Sequence, residues 1–251
     1  MKRTDKLLKG LDAVTYKDAI LFCFPFAGGG SAAYNSWIAK MAPDVKVCPV
    51  QLPGREEQIM EAPYTDMGQL TEDLLDAMRP YRNQEILLFG HSMGAKIAYE
   101  TAKGLEQMGK DVKLLVVSGC AAPHIPEPNP IYHLPEEEFI DALRAYDGTP
   151  EQILNNRELL KFFLPMLRAD FALSESYCAK YIEPVSCPIL AMGGYEDKEA
   201  GESVMKEWAA YTTNQFKCQM FHGNHFYFKE WEEEVLEEIR RTFDIEEALV
   251  G

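Results

Sequence analysis

Six short apolar runs without helical period punctuate the chain: residues 19–24, 45–50, 86–89, 113–118, 188–192 and 216–221. Runs of this length, closed by Pro or Gly, read as buried strands. Between them apolar residues recur at helical spacing. One such stretch covers about 33–41, another covers 65–79 with Met67, Leu70, Leu74, Leu75 and Met78 ahead of Pro80, and a third runs to about 108. Strands alternating with helices imply an α/β fold, a mostly parallel sheet covered by helices on both faces. Its site would form from the loops at the strand carboxyl ends. The alternation breaks over 121–184, where Pro123, Pro126, Pro128 and Pro130 precede helical patterns at 136–146, 151–155 and 159–181, with no strand among them. This stretch reads as a helical insertion above the strand ends, a lid that shapes access. Its Phe139, Leu143, Phe162, Phe163, Leu164, Met166, Leu167, Phe171 and Leu173 would equally suit a self-packed bundle, and the two readings are compatible. A final helix is expected over about 228–243, with the last residues fraying.

Composition narrows this picture. With 251 residues and 47% hydrophobic content, one large core is possible, so a single domain over 1–251 carrying the insertion at 121–184 is expected. Residues 1–18 are mixed polar and charged, unlike a signal sequence, and no window is long enough to cross a bilayer; a cytoplasmic protein with no membrane association follows. The six cysteines lack metal-ligand spacing and read as reduced, mostly buried thiols. A formal net charge of −15 without a Lys/Arg cluster argues against a nucleic-acid partner. Part of that charge, Glu230 with Glu232 to Glu234 and Glu237-Glu238, reads as the solvated face of the terminal helix.

Candidate chemistry centres on Gly90-His91-Ser92-Met93-Gly94, which follows an apolar run and leads into a helical pattern. Strand, Gly-x-Ser-x-Gly turn and helix describe a nucleophile elbow, in which Ser92 is exposed above the sheet on a strained turn. A serine needs a base and an orienting carboxylate. The order Ser, Asp, His places an acid after a late strand and a base after the last one. Asp197 and His225 occupy those places; Glu196 and Glu199 compete with the first, and His222 with the second. His91 reads as a packing residue. The loop Phe26-Ala27-Gly28-Gly29-Gly30-Ser31 lacks both the Lys-Ser/Thr ending of a P-loop and the spacing of a dinucleotide fingerprint. It reads instead as an oxyanion loop, with the backbone N–H groups of Ala27 and Met93 as the donors. This constellation is that of an α/β-hydrolase working as a serine hydrolase without metal or cofactor.

Several segments carry a narrower resemblance: Phe24-Pro25-Phe26-Ala27-Gly28-Gly29, the Gln51-Leu52-Pro53-Gly54-Arg55 turn, the elbow, Leu164-Pro165-Met166-Leu167-Arg168-Ala169-Asp170-Phe171, Asp197, and Gly223-Asn224-His225-Phe226. Together, in collinear order over about 19–243, they resemble the type II thioesterases that accompany nonribosomal peptide and polyketide synthetases. The resemblance implies hydrolysis of acyl or aminoacyl thioesters on the phosphopantetheine arm of an acyl or peptidyl carrier protein, clearing misprimed or stalled modules. It also implies Ser92, Asp197 and His225 as the triad and Ala27 and Met93 as the oxyanion pair. Lys96 departs from the apolar residue expected one turn into the elbow helix, where it could snorkel to the surface. Carriers are usually acidic, so docking calls for a local basic or apolar patch, with Arg55 and Lys180 as candidates. A carboxylesterase or lipase acting on free esters is the first rival, and a non-catalytic binding module the second.

Overall fold

The computed structural model describes residues 3–11, 19–145, 148 and 151–250. Its six strands are β1 (Ala19–Phe24), β2 (Val45–Pro49), β3 (Glu85–His91), β4 (Val112–Ser118), β5 (Ile189–Gly194) and β6 (Phe216–Phe221). They form one sheet in the order β2-β1-β3-β4-β5-β6, every neighbouring pair parallel. The helices are α1 (Asn35–Met41), α2 (Met67–Met78), α3 (Met93–Gln107), α4 (Glu136–Ala145), α5 (Glu151–Leu154), α6 (Arg157–Glu175), α7 (Glu202–Lys206), α8 (Tyr227–Glu230) and α9 (Glu232–Val250).

A parallel strand buried on both faces needs apolar residues at every position, and β1 shows it. Ile20, Phe22 and Phe24 pack in one cluster with Leu70 and Leu74 of α2 and Ile97 and Ala98 of α3. Leu21 and Cys23 point the other way, into a cluster with Trp37 of α1, Phe89 of β3, and Val235 and Ile239 of α9. Registers pair Phe24 with Gly90, His91 with Ser118, Ser118 with Met192, and Gly194 with Phe221. The carboxyl ends are therefore level, and the turns that follow them open on one rim.

Between β4 and β5, the helices α4, α5 and α6 share a third cluster that includes Ile131, Phe139, Leu143, Leu154, Leu164, Met166 and Leu167. Leu173, near the end of α6, joins the sheet's own core instead, whereas Phe162 is exposed. The segment between β4 and β5 thus packs on itself and docks through the last turns of α6. Helix α6 ends at Glu175, short of the expected 181, because the chain beyond it bonds outward, with Ala179 N–H donating to Pro123 O at 2.8 Å. The terminal segment breaks at Trp231 into α8 and α9, and α9 stays helical to Val250 where fraying was expected. Tyr146, the expected end of α4, and residues 12–18 of the amino-terminal stretch lie outside the described residues. Cys23, Cys48, Cys120 and Cys187 are buried, Cys218 is partly buried and Cys178 is exposed, all as free thiols. Among the described residues no helix is long and apolar enough to cross a membrane.

Candidate active site

Ser92 sits between β3 and α3 with φ 54° and ψ −120°, a conformation that L residues rarely adopt. Holding it there costs on the order of 1–3 kcal/mol, so the surroundings must over-determine the turn. They do so by contact. A Cβ on Gly90 would collide with the Gly94 carbonyl, and one on Gly94 with the carbonyl of Phe24. The Ser92 N–H donates to Ser118 O at 2.8 Å, tying the elbow to the end of β4. Behind the turn, His91 is fully buried; its Nδ1 lies 2.9 Å from Ser118 Oγ, which lies 2.6 Å from the Tyr227 hydroxyl. Burial, then the nearby His225 and Lys229, hold the His91 imidazole well below its usual pKa, so it is neutral.

Asp197 and His225 meet across the turns that follow β5 and β6. Tyr195 N–H donates to Phe221 O at 2.8 Å and Glu196 N–H to Gly223 O at 3.0 Å, lacing the two turns together. Gly223, at φ +118°, permits the reversal. His225 Nδ1 then lies 2.8 Å from Asp197 Oδ2, while Asp197 Oδ1 accepts the N–H groups of Glu199 and Ala200 at 2.9 and 3.2 Å. Burial alone would raise the Asp197 pKa. The hydrogen bond and charge of His225 and the two backbone donors outweigh it and hold the carboxyl below the usual carboxylate range. The competing residues make other contacts: the His222 side chain is 78% exposed and faces Glu196, Glu196 accepts from Gly223 N–H, and Glu199 lines the cavity near His225 while it is Asp197 that takes the bond from His225 Nδ1. The His91 and His225 rings are 4.8 Å apart, centre to centre.

The glycine loop after β1 is held by charges from two distant segments. Asp170 of α6 accepts the Gly28 N–H at 2.8 Å. Its carboxylate also takes both ends of the Arg55 guanidinium, at 2.7 and 2.6 Å, and Arg55 donates to Gly29 O at 2.7 Å. Both side chains are almost fully buried, with 5% and 2% exposed. Next to Arg55, Glu56 adopts φ 49° and its carboxylate accepts the N–H groups of Ser31 and Ala32 at 3.2 and 2.8 Å. Gly28, at φ +76°, presents its α-carbon to the Leu167 side chain so closely that a Cβ would clash. Arg55 therefore offers no surface for a partner, contrary to its reading as a docking candidate. The sequence did carry a signal for this role: Asp170 interrupts an apolar helix face, and a charge at such a position calls for a buried partner.

The family model described as Thioesterase domain matches residues 19–243. The chain belongs to the thioesterase family. It is 40% identical over 219 residues to the gramicidin S biosynthesis protein GrsT of Aneurinibacillus migulanus, covering 86% of each chain. It is 38% identical over 239 residues to the linear gramicidin dehydrogenase LgrE of Brevibacillus parabrevis, covering 93% of this chain and 90% of that one. Among solved structures, the type II thioesterase BorB from the borrelidin biosynthetic cluster superposes with a TM-score of 0.85 at 31% identity, over 97% of this chain and 100% of that one. The present thioesterase has the fold of an α/β-hydrolase and is a serine hydrolase.

In this thioesterase Ser92, His225 and Ala27 all line one cavity of about 680 Å³. Phe171, Ser174 and Glu175 of α6 form part of its wall, with Cys120, Ile125 and Glu127 after β4. Lys96 also lines it and does not snorkel outward: it is 6% exposed and donates to Ser174 O at 2.7 Å, capping a free carbonyl at the end of α6. Burial pushes the Glu175 carboxyl up to about 7, against the opposing pull of the Tyr132 and Ile131 N–H groups that it accepts. Among the described residues no group of three or more His, Cys, Asp or Glu side chains could hold a metal ion.

Proposed function

We propose that this thioesterase hydrolyses acyl or aminoacyl groups from the phosphopantetheine arm of a carrier protein, clearing misprimed or stalled synthetase modules. The observation that carries the reading is the strained Ser92 facing a cavity whose wall also holds the Asp197-bound His225. In this cycle His225 removes the Ser92 proton as Oγ attacks the thioester carbonyl carbon. The oxyanion is met by the N–H groups of Met93 and Ala27. Gly28 N–H is committed to Asp170, which leaves its neighbour Ala27, on the cavity wall, as the loop donor. The carbon–sulfur bond breaks and the pantetheine thiol leaves with the proton from His225. Water then gives a proton to His225 and adds to the acyl-enzyme; the ester bond breaks and Ser92 regains its proton. Asp197 fixes the imidazole tautomer and offsets its charge in both halves. The insertion over 121–184 acts as the lid that shapes the acyl cavity, and Lys180, exposed beside Tyr181 and Ile182, is the candidate contact for an acidic carrier. The site as drawn needs no cofactor. Mass spectrometry of a panel of acylated carriers, with and without enzyme, tests the reading: release from carriers dependent on Ser92 is expected, and strong preference for matched free esters would assign the chain to carboxylesterase chemistry.

A further inference from the structure

We infer that the buried Arg55–Asp170 pair is a positioning device for the oxyanion loop, tying loop geometry to the helix that walls the acyl cavity. The inference rests on Ala27 N–H serving as an oxyanion donor. Three observations carry it. First, the pair's hydrogen bonds run to the loop backbone on both sides of one peptide unit, Asp170 taking Gly28 N–H and Arg55 giving to Gly29 O. The Ala27–Gly28 peptide plane is thereby held from its own nitrogen, which leaves only the φ and ψ of Ala27 between a fixed plane and the Ala27 N–H. Second, the contact is bidentate and nearly dry, a geometry that resists small rotations of the loop. Third, Asp170 precedes Phe171, Ser174 and Glu175 on the same helix, and those three line the acyl cavity. Asp170 and Ser174 lie one turn apart on the same face of α6, so the helix holds the loop and walls the cavity over adjoining turns, and a displacement of α6 by an ill-fitting acyl group would be felt at Gly28, next to the oxyanion donor.

A buried ion pair could instead serve only to join segments, and the distinction is measurable. Replacing a buried pair by apolar residues is often neutral for stability, whereas removing one partner strands a charge. Asp170→Leu alone should therefore melt well below wild type. Adding Arg55→Met should recover most of that loss, because no charge is left unpaired. If the pair positions the loop, the double variant regains its melting temperature but not its rate. kcat should stay about 10²-fold down, the usual effect of losing one oxyanion donor, with KM within about threefold. Recovery of wild-type kcat together with stability would overturn the inference. Rates are read on an acylated carrier and on a p-nitrophenyl ester, so failure of the carrier substrate leaves the kcat comparison intact on the ester. Amide exchange of the peptide spanning 26–31 adds a readout independent of turnover. Faster exchange confined to this peptide in the double variant is expected; protection equal to wild type would contradict the inference.

Discussion

The two halves of the site are assembled differently. Asp197 and His225 stand 28 residues apart, on turns that follow neighbouring strands and are laced by their own backbone bonds. The proposed oxyanion loop is instead held by Arg55 and Asp170, 115 residues apart, with Asp170 reaching Gly28 across 142 residues. The proposed proton-handling half is set by two adjacent strand ends and the backbone bonds between their turns. Gly28 N–H has its carboxylate partner only when α6 has docked, so the geometry of the proposed oxyanion loop reports on the packing of α6.

That contrast yields separable predictions. The largest effect falls on the first half: Asp197→Asn should lower kcat by about 10⁴-fold without comparable loss of stability, since a wrong imidazole tautomer spoils the base while leaving the packing intact. Steady-state kinetics beside a thermal melt checks both parts. On the second half, Arg55→Ala should lower both stability and kcat. Stranding the Asp170 carboxylate in a buried site costs about 3–5 kcal/mol, to be read from denaturant midpoints. If Arg55→Ala changed neither midpoint nor rate, the two halves would not differ as described.

A smaller effect concerns pH. Glu175 titrates at about 7 in the folded chain, above the ordinary carboxylate range, so folding favours its neutral form. Its contribution to stability is complete below the unfolded value, about pH 4.3, and is lost as pH rises through about 7. Glu175→Gln should therefore raise the melting temperature above pH 7, with the two curves converging towards about pH 4; parallel curves would refute the assignment. The smallest effect is expected at Met93→Leu, which leaves the backbone donor in place, with kcat within about threefold of wild type.

Much of this was readable from local pattern. Runs such as 19–24 are short, apolar and closed by Pro25, and they mark strands because a doubly covered sheet admits little else. The elbow, with Asp197 and His225 after the expected strands, follows from chain order and turn chemistry. What escaped the reading is long-range or sub-threshold. Asp170 interrupts an apolar helix face and so asks for a buried partner, but nothing local in the chain says that the partner is Arg55, 115 residues away. Lys96 reads as a snorkelling residue because nothing nearby in the chain shows the Ser174 carbonyl that receives it. The segment 202–211 escaped too: α7 and the 3-10 turn Glu207–Tyr211 are short, and their buried Trp208 and Tyr211 are too few to show a period.

Rapid-quench mass spectrometry of the enzyme mixed with an acylated carrier tests the central claim most directly. A transient mass gain equal to the acyl group is expected on the peptide containing Ser92, formed as the free pantetheine thiol appears on the carrier and absent in Ser92→Ala. Thiol release at an undiminished rate in Ser92→Ala, or an adduct on any other residue, would contradict it.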